Sequence, residues 1–136
     1  MHTNIGFDNV EKILHIADVH IRNYKRHKEY RQVFRKLYKE AKQLPKNSLI
    51  YLAGDIVHTK TDISPELVQI VSEFLNKLDN IRPTVVIAGN HDAHLNNSSR
   101  LDSLTPIIEN LANENLFYLR DSGIYSIADV DFIVYS

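Results

Sequence analysis

The chain has 136 residues, 43% of them hydrophobic and 24% charged, and it carries a net charge of -1 without any cysteine. This composition is typical of a soluble globular chain about one domain long, and it excludes disulfides and thiolate metal sites, so that any metal must bind to histidine or to oxygen ligands. Because neither a secretory leader pattern nor an apolar run of membrane length is present, we expect a cytoplasmic protein without membrane contact.

Three short segments are apolar at almost every position, and each is predicted to form a strand that is buried on both faces. They are KILHIAD at 12–18, SLIYLAGD at 48–55 and TVVIAGN at 84–90. Helical spacing of apolar residues predicts one helix before Pro45 and a second helix that Ser64 caps and Pro65 opens. The order β-α-β-α-β predicts an α/β fold with a parallel sheet, right-handed crossovers and helices packed on it.

The last part of the chain has a different sequence pattern, with short elements separated by polar residues. A polar loop over residues 93–103 precedes a short predicted helix from Pro106 to Ala112. The stretch NLFYLRDSGIYSIADVDFIVYS then predicts short strands that are separated by RDSG and ADVD turns. We expect these strands to form mostly antiparallel pairs that extend the sheet.

Positive charge is concentrated in one segment. Residues 22 to 46 hold ten Lys or Arg against Glu29 and Glu40, so this segment is +8 and the rest of the chain is -9. The asymmetry is typical either of a surface that faces a polyanion or of the solvated face of an amphipathic helix. Tyr30 and Tyr38 within it fit the apolar stripe of the helix better than a base-stacking role.

Polar side chains follow each of the three predicted strands. Parallel neighbours bring their carboxyl ends to one edge of a sheet, which is where open α/β sheets bind their ligands. Gly54 and Gly89, each directly before a polar residue, allow a tight turn there. The residues expected to converge at this edge are Asp18, His20, Asp55, His58, Asn90, His91 and Asp92.

Carboxylate, imidazole and amide ligands without cysteine indicate a divalent metal site. Two ions about 3.5 to 4 Å apart can hold a phosphate, lower the pKa of a bridging water and stabilise an in-line transition state. The residues therefore predict phosphoester hydrolysis. Taken alone, Asp18 with His20 is more typical of an ordinary turn at a strand end, and only the three clusters together favour the metal site.

Three motifs resemble those of a known family. DVH at 18–20, GDIVH at 54–58 and GNHD at 89–92 are similar to the first three motifs of the calcineurin-like metallophosphoesterases, in their order. HIADVHI, the basic helix and the His that ends GDIVH are most similar to the DNA repair nuclease branch, the SbcD-type exonuclease subunits and phage recombination endonucleases. The resemblance implies a metallophosphoesterase fold of β-sheet layers flanked by helices.

The resemblance also implies a ligand set for two divalent cations, with manganese as the expected metal. Asp18 and His20 would bind the first ion, Asp55 would bridge both ions, and Asn90 would bind the second. DNA would be the substrate, and an ATPase of the structural-maintenance-of-chromosomes type would be the partner.

Catalytic and substrate contacts follow from the same resemblance. His91 would stabilise charge at the scissile phosphate or protonate the leaving oxygen, and Asp92 would orient His91. His58 would contact a nucleic-acid phosphate near the metals. Arg22, which follows the first motif closely, is the basic residue expected to contact substrate.

Residues 1–136 resemble only the amino-terminal part of a single family nuclease domain. The further His and the GHxH motif that complete the family's site have no counterpart, because the chain has no histidine after His94. We therefore expect a truncated domain whose apolar side chains beyond residue 131 are exposed, with association into dimers as one consequence. Two alternatives stay open: a phosphoesterase acting on small phosphodiesters or phosphoproteins, and an inactive fragment that binds partners.

Overall fold

The computed structural model describes residues 2–3, 5–21, 27–57, 64–87, 105–111 and 113–135. Within these ranges the chain forms seven strands and three helices. In chain order they are β1 His2–Thr3, β2 Lys12–Ile16, α1 His27–Lys42, β3 Ser48–Leu52, α2 Pro65–Ile81, β4 Thr84–Val86, α3 Thr105–Leu111, β5 Leu116–Tyr118, β6 Gly123–Ile127 and β7 Val130–Val134.

The four strands of the main sheet lie in the order β2-β3-β4-β5, and every neighbouring pair is parallel. This arrangement confirms the predicted α/β fold. The helices α1, α2 and α3 occupy the three connections between the strands, as parallel pairing requires, because a crossover must return the chain to the same end of the sheet.

The prediction that the last strands form mostly antiparallel pairs is confirmed for β6 and β7, but the prediction that such pairs extend the main sheet is wrong. β5 joins the main sheet as a parallel strand, since α3 precedes it. β6 and β7 form an antiparallel hairpin, but the hairpin belongs to a separate three-stranded sheet of order β1-β6-β7. Local strand signals show that short strands follow one another, and they do not show which sheet each strand joins.

Alternate side chains of the central strand β3 enter two different apolar clusters. Ile50 and Leu52 pack with the helices, whereas Leu49 and Tyr51 pack with the second sheet. Successive strand residues point to opposite faces, so the main sheet is covered on one side by helices and on the other by the β1-β6-β7 sheet. This sandwich explains the nearly continuous apolar run of β3, which is typical of a strand covered on both faces.

The first apolar segment does not follow that prediction. β2 lies at the end of the strand order, and its burial alternates between exposed and half-buried positions. Ile13 is 44% exposed, and His15 is also exposed, with its ring 5.0 Å from that of Tyr51. The apolar side chains of the second sheet pack against β3, β4 and β5, so one face of β2 is left to solvent. His15 is therefore a surface residue whose ring packs beside that of Tyr51.

The two long helices pack against each other through aromatic rings. Phe34 of α1 and Phe74 of α2 stack with their centroids 4.2 Å apart, and both side chains are buried. Ser64 caps α2 as predicted, with its Oγ accepting a hydrogen bond from the Leu67 N–H at 3.0 Å, and Pro65 begins the helix. Across the described ranges, neither these helices nor α3 has the length and apolarity needed to cross a bilayer.

Candidate metal centre

The segments that follow β2 and β3 continue side by side beyond the sheet. The His20 N–H donates to the Asp55 carbonyl at 2.8 Å, and the Ile21 N–H donates to the Ile56 carbonyl at 2.7 Å. These bonds carry the parallel register past the strand ends and into the two polar clusters. Asp18, His20 and Asp55 therefore lie at the carboxyl edge of the main sheet, where ligands bind in open α/β folds.

The backbone at these three residues is strained. The φ angles of Asp18, His20 and Asp55 are 55°, 51° and 52°, in the left-handed region that residues with a side chain seldom adopt. Each such residue costs on the order of 1 kcal/mol or more and persists only where neighbouring contacts hold it. Among the described residues, the other non-glycine residue with a positive φ is Ala128, in the turn between β6 and β7.

The strained backbone brings three ligand groups together. Three ligand atoms lie within 4.8 Å of one another, one each from Asp18, His20 and Asp55. His20 Nε2 is 3.6 Å from Asp18 Oδ1, and the His20 side chain is 32% exposed, against 76% for Asp18. Two carboxylates and one imidazole form a donor set that suits a divalent cation of the manganese, iron or zinc type. The residues present therefore fit the metal that the sequence predicts.

A contact from α1 reaches this edge of the sheet. The Tyr30 hydroxyl donates a hydrogen bond of 2.7 Å to the main-chain carbonyl of His20. The sequence assigns Tyr30 to the apolar stripe of the helix, and its ring does pack there, 6.0 Å from the ring of Phe34. Because helical periodicity locates the ring and not the hydroxyl, no sequence signal indicates this bond.

The other predicted site residues lie outside the described residues. They are Arg22, His58, Asn90, His91 and Asp92. The roles of these residues in binding the second ion, stabilising charge, orienting His91 and contacting substrate stay predictions. The metal-ligand roles of Asp18, His20 and Asp55 are also predictions, although these three side chains do meet.

A parallel sheet that gathers two carboxylates and an imidazole at its carboxyl edge has the architecture of an α/β metalloprotein. Residues 11–134 match the calcineurin-like phosphoesterase family, and the chain belongs to that family. It is also 45% identical over 130 residues to the uncharacterized protein R555 of Acanthamoeba polyphaga mimivirus. That match covers 93% of the chain and 10% of R555, so the chain spans about a tenth of its relative's length.

The family is one of phosphoesterases, which hydrolyse phosphoesters. The donor set at the sheet edge agrees with this chemistry, because hard oxygen ligands and a borderline imidazole are those that phosphate-handling cations prefer.

Proposed function

We propose that the chain is the amino-terminal part of a DNA phosphodiesterase domain that uses two divalent cations, with manganese as the expected metal. The observation that carries this proposal is the convergence of Asp18, His20 and Asp55, each held in a left-handed backbone conformation, at one edge of a parallel sheet. Strain of this kind concentrates at functional sites, where surrounding contacts over-determine the backbone.

Each residue of the proposed site has a separate task. Asp18, His20 and Asp55 would hold the first cation, and Asp55 and Asn90 would hold the second. Cations bound there would polarise the phosphate and activate a water molecule as nucleophile.

The remaining residues act on the substrate. His91 stabilises negative charge at the phosphate or donates a proton to the leaving oxygen, and Asp92 keeps the His91 ring oriented. His58 and Arg22 contact the phosphate backbone.

DNA as the substrate is supported by one side of helix α1. Lys28, Arg35, Lys39 and Lys42 are exposed, and their spacing of seven, four and three residues aligns them along that side. Arg31 lies on the same side and is 3.4 Å from Glu73 of α2. Tyr30 connects the first turns of α1 to His20, so the stripe begins at the end of the helix that contacts the proposed metal centre, on a different side of the helix from Tyr30.

The first experiment is a measurement of manganese binding to the purified chain by calorimetry. We expect two bound ions, and we expect Asp55→Asn to weaken binding by at least about 100-fold, because a direct ligand matters more than the outer contacts that typically cost 10-fold to 100-fold. His91→Ala should keep the ions. Asp131→Asn is the matched control, because Asp131 is exposed on β7 and its carboxylate accepts a bond from Ser126.

Two results would contradict this part of the proposal. One is a wild-type chain that binds a single ion weakly or none, and the other is an Asp55→Asn chain that binds as the wild type does.

The substrate is tested by comparing a linear DNA duplex with a small chromogenic phosphodiester. We expect the logarithm of the DNA-binding constant to fall linearly with the logarithm of salt concentration. The slope should be shallower in the Arg35→Gln, Lys39→Gln double variant, because fewer phosphate contacts remain. Lys12→Gln removes a positive charge at the far end of β2 and is the control. Turnover of the small ester with salt-independent DNA binding would instead indicate a phosphoesterase of another branch.

Two kinds of partner are proposed for this chain. We infer that an ATPase of the structural-maintenance-of-chromosomes type binds a DNA nuclease of this kind, and that copies of the chain associate with each other. A chain that folds but neither binds manganese nor turns over either substrate would instead be a partner-binding module.

A further inference from the structure

We propose that Tyr30 is a positioning residue for the metal centre, holding the backbone of His20 in the conformation that directs its imidazole toward Asp18 and Asp55. This inference rests on the proposed function, because the group to be positioned is a metal ligand. It concerns a residue on helix α1 that belongs to none of the three motifs.

Both sides of His20 are held by hydrogen bonds from different elements. Its N–H donates to the Asp55 carbonyl at 2.8 Å, which ties it to the segment after β3. Its carbonyl accepts the 2.7 Å bond from the Tyr30 hydroxyl, which ties it to α1. The first bond holds the peptide group that precedes the Cα atom. The peptide group that follows it is held by the Tyr30 bond and by the Ile21 N–H bond to the Ile56 carbonyl, so the backbone with its φ angle of 51° is restrained from both sides.

The His20 side chain contributes to this restraint only in part. It is 32% exposed, and the adjacent Asp18 side chain is 76% exposed. A left-handed residue persists where surrounding contacts restrain its backbone, and the bond from Tyr30 is one of those contacts.

Tyr30 can impose this restraint because its own position is well defined. The Tyr30 ring packs 6.0 Å from that of Phe34, and Phe34 stacks at 4.2 Å on Phe74 of α2. Phe34 and Phe74 are both buried. The aromatic core between the two helices thus fixes the hydroxyl group that reaches the strand end, and it couples the helical layer to the metal centre.

An ordinary structural role makes a different prediction. A half-buried tyrosine hydroxyl needs some hydrogen-bond partner, and losing that bond would then lower stability without changing metal affinity. Tyr38 provides the comparison, because it lies two turns further along α1 and packs against the same two phenylalanines, with centroids 6.4 Å from Phe34 and 6.3 Å from Phe74.

The test compares Tyr30→Phe with Tyr38→Phe in the full chain. We expect Tyr30→Phe to weaken manganese binding about 10-fold, the lower end of the effect of contacts that orient a metal ligand, and Tyr38→Phe to leave it within about twofold. In the absence of metal, hydrogen exchange of the His20 amide should be faster in Tyr30→Phe and unchanged in Tyr38→Phe. Without the Tyr30 bond, the segment around His20 is less restrained, and the hydrogen bond from its N–H to Asp55 opens more often. Thermal unfolding of both variants checks that the fold is kept.

Each unfavourable result has a distinct meaning. Equal weakening in both variants, or unchanged affinity in Tyr30→Phe, would overturn the inference while leaving the proposed function intact. A wild-type chain that binds no manganese would refute the proposed function. In that case only the exchange measurement would test whether Tyr30 restrains the His20 backbone. An unchanged exchange rate in Tyr30→Phe would show that it does not.

Discussion

The two sheets of this protein differ sharply in how they are covered. In the main sheet, Leu49, Ile50, Val85 and Val86 are all 0% exposed, because helices pack on one face and the second sheet on the other. In the second sheet, the outward side chains are solvated, with Ile133 80% exposed. The candidate metal centre lies at the carboxyl edge of the main sheet, where β3, which is covered on both faces, leads to Asp55.

The strained residues of the two regions show the same difference. His20 and Asp55 have left-handed backbones where parallel segments leave the main sheet, and they present ligand groups. Ala128 has the same conformation in the β6-β7 turn, where it reverses the chain and offers no ligand. Positive φ therefore indicates function only together with the location and chemistry of the residue.

The largest expected effect comes from the core of the helical layer. Phe74→Ala should lower the free energy of unfolding by about 3 to 5 kcal/mol, because Phe74 is fully buried and the cavity can close only in part. Phe132→Ala should cost about 1 to 2 kcal/mol, because Phe132 of β7 is half-buried against Tyr51. Urea unfolding of both variants gives the comparison, and equal losses would show that the two layers are equally well packed.

A smaller effect should depend on pH. Burial raises the pKa of the Asp79 carboxyl in α2, although a hydrogen bond from Asn113 opposes this shift. The native state then binds the proton more tightly than the unfolded chain, so stability is lost as the pH rises from the ordinary carboxyl pKa through the raised native value.

Asp79→Asn removes that loss and keeps an oxygen acceptor for Asn113. We expect the variant to be more stable than the wild type at pH 7, and this advantage should decrease as the pH falls and become constant below the ordinary carboxyl pKa. Urea unfolding as a function of pH measures it, with Asp131→Asn, an exposed carboxyl of the second sheet, as the control. An advantage that is independent of pH would contradict the argument.

The smallest effect on stability is expected on the solvated face of the hairpin. Ile133 and Tyr135 are exposed, at 80% and 97%, whereas Phe132 and Val134 pack against the main sheet, so the predicted exposure of apolar side chains beyond residue 131 applies only to alternate positions. Ile133→Thr should change the free energy of unfolding by no more than about 0.5 kcal/mol, because little buried contact is lost. It should nevertheless reduce self-association, which sedimentation would detect. A variant that associates as strongly as the wild type would exclude this face as the contact.

Much of the fold could be predicted from the sequence because its signals are local. Apolar runs, helical periodicity, the Ser64 cap and the Pro65 start are determined within a few residues, and they identify the parallel β-α-β-α-β order. The parallel order then requires the strand ends to share one edge. For that reason Asp18, His20 and Asp55 could be grouped before their positions were known.

Tertiary structure decided what depends on neighbours distant in the chain. The sequence could not show that β2 lies at the sheet edge with Ile13 exposed, or that the hairpin forms a second sheet, because apolar runs do not specify which surfaces cover them. Nor could it place the Tyr30 hydroxyl on the His20 carbonyl. The residue types at the site follow from local sequence, but their restraint depends on a helix and two strand ends that only folding brings together.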